Sequence, residues 1–340
     1  MGKKKIIIII TLVVILVLGI GFFVLKGSSL EKTLEEVQSY TSYELVCNIE
    51  MLENDELRSY QVTSTYALID DSDYYKVELY DKSLNQSQII VKNSDGVFVL
   101  TPTLNQAFQF KSEWPNNTPK PYIYQSLLDF LSNNEAIKES DGYRVKGEMT
   151  YDNDSRVASQ EVVFDKQLNP VSVNVYDSDG VEIINVEVTS FSPDISLTID
   201  DFDEETLLSS TTNAYSSVST SLPLYPVSLM GSVLETEQIA TIDDMTNHIL
   251  KFTGEKNFTI IESSLSESED IEVTYIDSDV IDLIDGIAYY EDNQLTYIAS
   301  GIVCSIYSND LTEEEMLTVI SSMQSSTIKW KWTNAHFLVF

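Results

Sequence analysis

The chain has 340 residues, 43% of them hydrophobic and 10% aromatic, with 54 acidic against 20 basic residues and a formal net charge of −34. That balance excludes binding to a phosphate backbone, which needs clustered Lys and Arg, and 19 Tyr with 13 Phe exclude a wholly disordered chain. Two cysteines, Cys47 and Cys304, are too few for a disulfide framework or a cysteine-built metal site, and each sits in an alternating, strand-like segment that reads as a buried thiol.

The first segment, residues 1–29, opens with Lys3, Lys4 and Lys5 and runs on as an apolar stretch from Ile6 to Leu25, in which 17 of 20 residues are Ile, Leu, Val or Phe. A helix of that length, rising ~1.5 Å per residue, spans the ~30 Å hydrocarbon core of a bilayer. The stretch is longer than the apolar region of a cleaved secretory signal, and Val24-Leu-Lys-Gly-Ser-Ser29 after it offers only a poor cleavage site, so an uncleaved transmembrane anchor is expected. The lysines place its N-terminus in the cytoplasm and the bulk of the chain outside. Beyond Leu30 there remain 16 basic and 54 acidic residues, a net charge of about −38, which holds the chain off anionic lipid.

Residues 30–208 form the first extracytoplasmic unit. Ser28-Ser-Leu-Glu31 is a capping-box pattern, and Leu30, Leu34 and Val37 share one helical face. From Tyr40 the period becomes two: Tyr43, Leu45, Cys47 and Ile49 alternate with polar residues, as do Val77, Leu79, Ile89 and Val91. Ser94-Asp-Gly96 and Ser178-Asp-Gly180 read as hairpin turns. A break at 113–121 precedes a helix carrying Ile123, Leu127 and Leu131 on one face, with Pro121 in its first turn. Strands are expected again over 143–151, 156–165, 171–176 and 181–191. The Ser/Thr-rich segment 209–221 is the linker to a second unit, 222–326, whose seven expected strands include 271–276. They are followed by a helix opening at the capping box Thr312-Glu-Glu-Glu315. An aromatic tail, 327–340, completes the chain. The order of elements predicts an α+β class without a parallel sheet.

Catalytic patterns are missing. His248 and His336 stand apart from any nucleophile motif, and no Gly-x-Ser-x-Gly, His-Glu-x-x-His or phosphate-cradling glycine loop occurs. The acidic runs Asp70–Asp73 and Asp200–Glu205 read as solvated loops rather than calcium ligands, and both Asp-Gly turns lack the residues of a calcium loop. The expectation is a non-enzymatic protein with no cofactor and no metal. The segment that stands out holds Phe108, Phe110, Trp114, Pro115, Asn116, Tyr122 and Tyr124. These are the candidate ligand- or partner-binding residues, because aromatic anchors dominate such sites. Two readings stand side by side: the Trp114 loop lines an apolar opening, or it plugs one end of the sheet.

The run Asp95-Gly-Val-Phe-Val-Leu-Thr-Pro-Thr-Leu-Asn-Gln-Ala-Phe-Gln-Phe-Lys-Ser-Glu-Trp-Pro-Asn-Asn117, with Gln125-Ser-Leu-Leu128, resembles the LolA-like extracytoplasmic proteins, including the GerS-type germination lipoproteins. The resemblance covers roughly residues 30–205. It implies an unclosed antiparallel β-barrel with helices over its concave face, carrying lipid in some members and binding a cortex-trimming amidase in others. Residues 222–323, through Asp277-Ser-Asp-Val-Ile-Asp-Leu-Ile-Asp285 and Leu311-Thr-Glu-Glu-Glu-Met-Leu317, are similar to C-terminal domains of anti-sigma-factor-like membrane proteins. No lipid-bearing cysteine follows the apolar stretch, so the anchor Ile6–Leu25 replaces it. The expected function is a membrane-tethered extracytoplasmic binding module, a scaffold for a protein such as a spore-cortex or cell-wall amidase. The alternatives are a ligand-responsive sensor acting on a signalling protein, and a handler of lipid or lipoprotein at the outer leaflet.

Overall fold

The computed structural model describes residues 30–53, 56–82, 86–110, 114–115, 119–151, 154–211, 222–242, 245–265, 271–278, 280–283, 286–299 and 301–325. The expected anchor, most of the expected linker and the aromatic tail lie outside these residues. Among the described residues no helix is long and apolar enough to cross a membrane.

A first helix, α1 (30–38), packs Leu30, Leu34 and Val37 onto the sheet that follows. That sheet is built from β1 (Ser42–Glu53), β2 (Glu56–Ile69), β3 (Ser72–Asp81), β4 (Gln86–Asn93), β5 (Gly96–Thr101) and β6 (Gln106–Phe110). Helix α2 (Tyr124–Asn133) then leads to β7 (Ala136–Lys138), β8 (Gly142–Glu148), β9 (Ser159–Asp165), β10 (Pro170–Tyr176) and β11 (Glu182–Pro193). These strands lie in the order β6-β5-β4-β3-β2-β1-β11-β10-β9-β8-β7, every neighbouring pair antiparallel and the two ends unjoined. The alternation in the sequence selects the faces: Tyr43, Leu45, Cys47 and Ile49 on β1 are all buried on the concave side, while Glu44, Val46 and Asn48 between them are only partly covered. Side chains close the turns. The Asn93 Oδ1 accepts the Asp95 amide at 2.9 Å, and the Asp177 Oδ1 accepts those of Asp179 and Val181 at 2.9 and 2.8 Å. Gly96 and Gly180 supply the positive φ that these turns require.

A short 3-10 turn, Ile199–Phe202, and helix α3 (Glu204–Thr211) cross the convex side. Phe202, Leu207 and Leu208 fill an apolar patch made by Tyr74, Val91, Phe98 and Leu100. The acidic run read as a solvated loop is therefore ordered, because burying Phe202 fixes it. Its acids become caps: Thr198 and Asp201 form a reciprocal capping box, and Asp203 accepts the Thr206 amide at 2.7 Å. Helix α3 continues to Thr211, inside the expected linker.

The second unit comprises β12 (Leu224–Pro226), β13 (Ser232–Ile242), β14 (Met245–Gly254), β15 (Phe258–Ser264), β16 (Glu272–Ile276), β17 (Val280–Asp282), β18 (Ile287–Glu291), β19 (Gln294–Ala299), β20 (Ile302–Tyr307), α4 (Glu313–Ser321) and β21 (Met323–Ser325). Seven of these strands form a sheet in the order β13-β14-β15-β20-β19-β18-β17, and β12 pairs with β21 in a small ribbon. Helix α4 buries Met316, Val319 and Ile320 against Leu250, Phe252, Ile260 and Ile306. It starts where its capping box predicts, with Thr312 Oγ1 accepting the Glu315 amide at 3.3 Å and Glu315 accepting that of Thr312 at 2.9 Å. The expected α+β content resolves as mostly β.

Two expectations are corrected. Pro121 does not lie in the first turn of α2, because Ile123 is still extended (φ −102°, ψ 117°) and forms the N-cap. The strand 271–276 does not join the other strands of its unit. As β16 it leaves them and adds in parallel to the β6 edge of the first sheet. The two units are further joined by Ile287 and Ile298, which pack in the concave core, and by the Phe110 and Tyr289 rings at 6.1 Å. Lys120 Nζ donates to the Leu283 carbonyl at 3.4 Å, and Arg58 to that of Met323 at 3.2 Å.

Candidate functional site

The concave face is where the expected site residues meet. Register places Tyr43, Tyr66 and Tyr75 side by side on β1, β2 and β3. Their rings are in contact, Tyr43 with Tyr66 at 5.5 Å and Tyr66 with Tyr75 at 4.9 Å between centroids. Trp114 meets Tyr75 edge-on at 6.4 Å, and at the other end Tyr124 packs on Tyr43 at 5.6 Å and on Phe191 at 4.6 Å. One aromatic ladder thus crosses the half-barrel, in the edge-on and offset geometries that ring quadrupoles favour.

Its polar atoms are tied down. The Tyr43 hydroxyl donates to Gln125 Oε1 at 2.6 Å and accepts the Tyr124 amide at 3.2 Å, which is how β1 holds the start of α2. The Tyr124 hydroxyl donates to the Leu168 carbonyl at 3.0 Å, and that of Tyr66 to Asp73 at 2.8 Å. Burial raises the pKa of the Tyr43, Tyr66 and Tyr124 hydroxyls far above the ordinary tyrosine range, so they act as fixed neutral donors.

Of the expected site residues, Trp114 is 2% exposed, Tyr122, Tyr124 and Phe110 1%, and Phe108 8%. Pro115 is buried after a cis bond from Trp114. Asn116 lies outside the described residues. The five aromatics fall in a single core cluster with α1, α2 and two isoleucines of the second sheet. All five are thus buried on the concave face. Sequence reasoning passed over Tyr43, Tyr66, Tyr75 and Gln125. Each tyrosine occupies an ordinary alternating strand position, and only the strand register shows that they form one row.

The remaining chemistry is sparse. Cys47 and Cys304 are buried free thiols; burial pushes the Cys47 pKa up to about 12 and holds that of Cys304 well above the ordinary value, so neither is a thiolate nucleophile. Among the described residues no group of three or more His, Cys, Asp or Glu is placed so that it could hold a metal ion. His248, Glu262 and Cys304 stand in one row across β14, β15 and β20. Glu262 is fully buried, its Oε2 accepts the Leu224 amide at 2.9 Å, and burial pushes its pKa up to about 8. An open cleft of about 520 Å³ lies at the other end of that sheet, lined by Lys251, Asn257, Asp292, Tyr307 and Asp310 among others. Part of its polar lining is already paired, as in the bonds from Asn257 to Asp310 at 2.9 and 2.7 Å.

No family model matches the chain. It is 29% identical over 308 residues to the sporulation protein YdcC of Bacillus subtilis (strain 168), a match spanning 87% of this chain and 89% of that protein. Among solved structures, the MucA/MucB complex of Pseudomonas aeruginosa aligns with a TM-score of 0.32 and 11% identity over 87% of this chain and 97% of that one. A lipoprotein-sorting protein domain from Vibrio parahaemolyticus aligns with a TM-score of 0.31 and 13% identity, over 52% of this chain and 99% of that domain. Likenesses of that size bear on neither partner nor ligand. The identity to the sporulation protein, extending through both units, is what these comparisons contribute to a functional reading.

Proposed function

We propose that this chain is a non-enzymatic extracytoplasmic binding module, tethered to the membrane through Ile6–Leu25 and acting during sporulation by engaging another protein. The observation that carries the reading is the filled concavity. Trp114, Tyr122, Tyr124, Phe108 and Phe110, together with Ile287 and Ile298 of the second sheet, are buried in one core cluster on the concave face, which we read as leaving no room for an acyl chain. Opening it would expose several large aromatics, at ~1.5–3 kcal/mol for each buried side chain. A protein held by one helix at the outer leaflet also has no means of travelling with cargo. Support for the sporulation setting comes from the named relative, which matches most of both chains. The partner class proposed is a cell-wall amidase, with a membrane signalling protein as the alternative outcome. The test is photo-crosslinking in sporulating cells from probes placed at exposed positions of both sheets, such as Ile137 and Tyr275. A discrete protein adduct is expected. Adducts to lipid alone, or none above those of a scrambled-position control, would overturn the proposal.

A further inference from the structure

Among the described residues of the first sheet, one neighbouring pair of strands is parallel. β16 runs alongside β6, from Glu272 opposite Gln106 to Ile276 opposite Phe110. In sequence it stands between β15 and β17, which both belong to the second sheet, so the second unit lends one strand to the edge of the first. Ile271 just before it is 40% exposed, Val273 48% and Tyr275 57%, while Ile276 packs on the concave core. Its main-chain pairing with β6 has the parallel geometry, which is slightly weaker per residue. Other contacts also join the two units: Phe110 against Tyr289, Lys120 on Leu283, Arg58 on Met323 and Gln88 on the Ile298 carbonyl.

The geometry points to the β6 edge as a docking site for an extended peptide segment of a partner protein, added parallel to β6, with β16 as the chain's own occupant when no partner is bound. The edge dictates what fits: a β-forming segment that places a small or β-branched residue opposite Phe108 and an aliphatic one opposite Phe110, where Thr274 and Ile276 now stand. A net charge of −34 favours segments that are neutral or basic at their flanks. This rests on reading the chain as a protein-binding module and names the surface it would use.

The test uses the full-length chain and, as the probe, a fluorescent peptide with the sequence Ile271–Ile276 flanked by a lysine at each end. In the open variant, Val273→Pro with Thr274→Pro, successive amides point to opposite sides of the strand, so one proline removes a ladder donor. In the locked variant, Ala107→Cys with Val273→Cys, a disulfide ties directly opposed positions. The open variant should bind the peptide at least about tenfold more tightly than the unaltered chain, whose edge is occupied, and the locked variant should not bind. An open variant with an unchanged circular dichroism spectrum that binds no better than the locked one overturns the proposal. If the open variant does not fold, hydrogen exchange in the unaltered chain decides: faster exchange in β16 than in β5 supports a removable strand, and equal protection overturns it. Peptide binding can fail while the cellular crosslink to a protein succeeds, which would discard this edge and leave the binding-module reading in place.

Discussion

Replacing Glu262 with Gln probes the packing of the second unit through a single buried group. Glu262 is fully buried on β15, its Oε2 accepts the Leu224 amide at 2.9 Å, and its Oε1 has no partner among the described residues. Burial raises its pKa, the Leu224 bond offsets part of the rise, and Glu237 adds to it, giving about 8 against an ordinary 4.5. Between those values the folded chain keeps a proton that the unfolded chain has lost. Stability therefore falls as pH rises through that window, by at most about 1.4 kcal/mol per pH unit. From pH 4.5 to about pH 7 the loss amounts to roughly 3 kcal/mol as an upper limit. Gln keeps the acceptor for Leu224 and removes the titration, at the cost of burying an amide NH2. The variant should be more stable than the unaltered protein by about 1–2 kcal/mol near neutral pH. That advantage should vanish or reverse at pH 4.5. Urea unfolding followed by circular dichroism across this range measures both curves. An unaltered protein whose stability is flat from pH 4.5 to 8, or a variant weaker throughout with the same slope, refutes the reasoning.

Three further outcomes follow from the packing. Tyr43→Phe strips the acceptor from the buried Tyr124 amide and the donor from Gln125, and should cost about 1–3 kcal/mol in denaturant unfolding, whereas the exposed Leu57→Ala should change little. Phe202→Ala empties the convex-face pocket and should cost about 3–5 kcal/mol, with α3 amides losing protection in hydrogen exchange before β1 does; simultaneous loss would contradict the view of this segment as a strap. Cys47 and Cys304 should resist a thiol reagent in the native protein and both label in denaturant, so rapid native labelling of either would contradict their burial.

Local features were the legible ones. The Thr312 capping box, the two Asp-Gly hairpins and the alternation of β1 can each be read within a few residues, because a cap, a turn or a strand face depends on local geometry. What escaped depends on which strand lies beside which. The tyrosine ladder exists only because the β1-β2-β3 register aligns three residues far apart in sequence, and β16 looks like any other short strand until its neighbour is known. The Asp200–Glu205 run misled for a different reason. Five acids conceal one phenylalanine, Phe202, whose burial on the convex face converts acids of the run into helix caps. Among the site residues, the composition around Trp114 marked an unusual segment, yet it could not say whether the aromatics faced inward, since that is decided by α1, α2 and the second sheet closing over them.

The proposed role, binding a protein and carrying no lipid, rests on the aromatics buried on the concave face. Native mass spectrometry of residues 30–340, produced with access to cell lipids, tests this most directly. The expected result is the mass of the polypeptide alone. A stoichiometric lipid adduct, released by Trp114→Ala, would contradict the account.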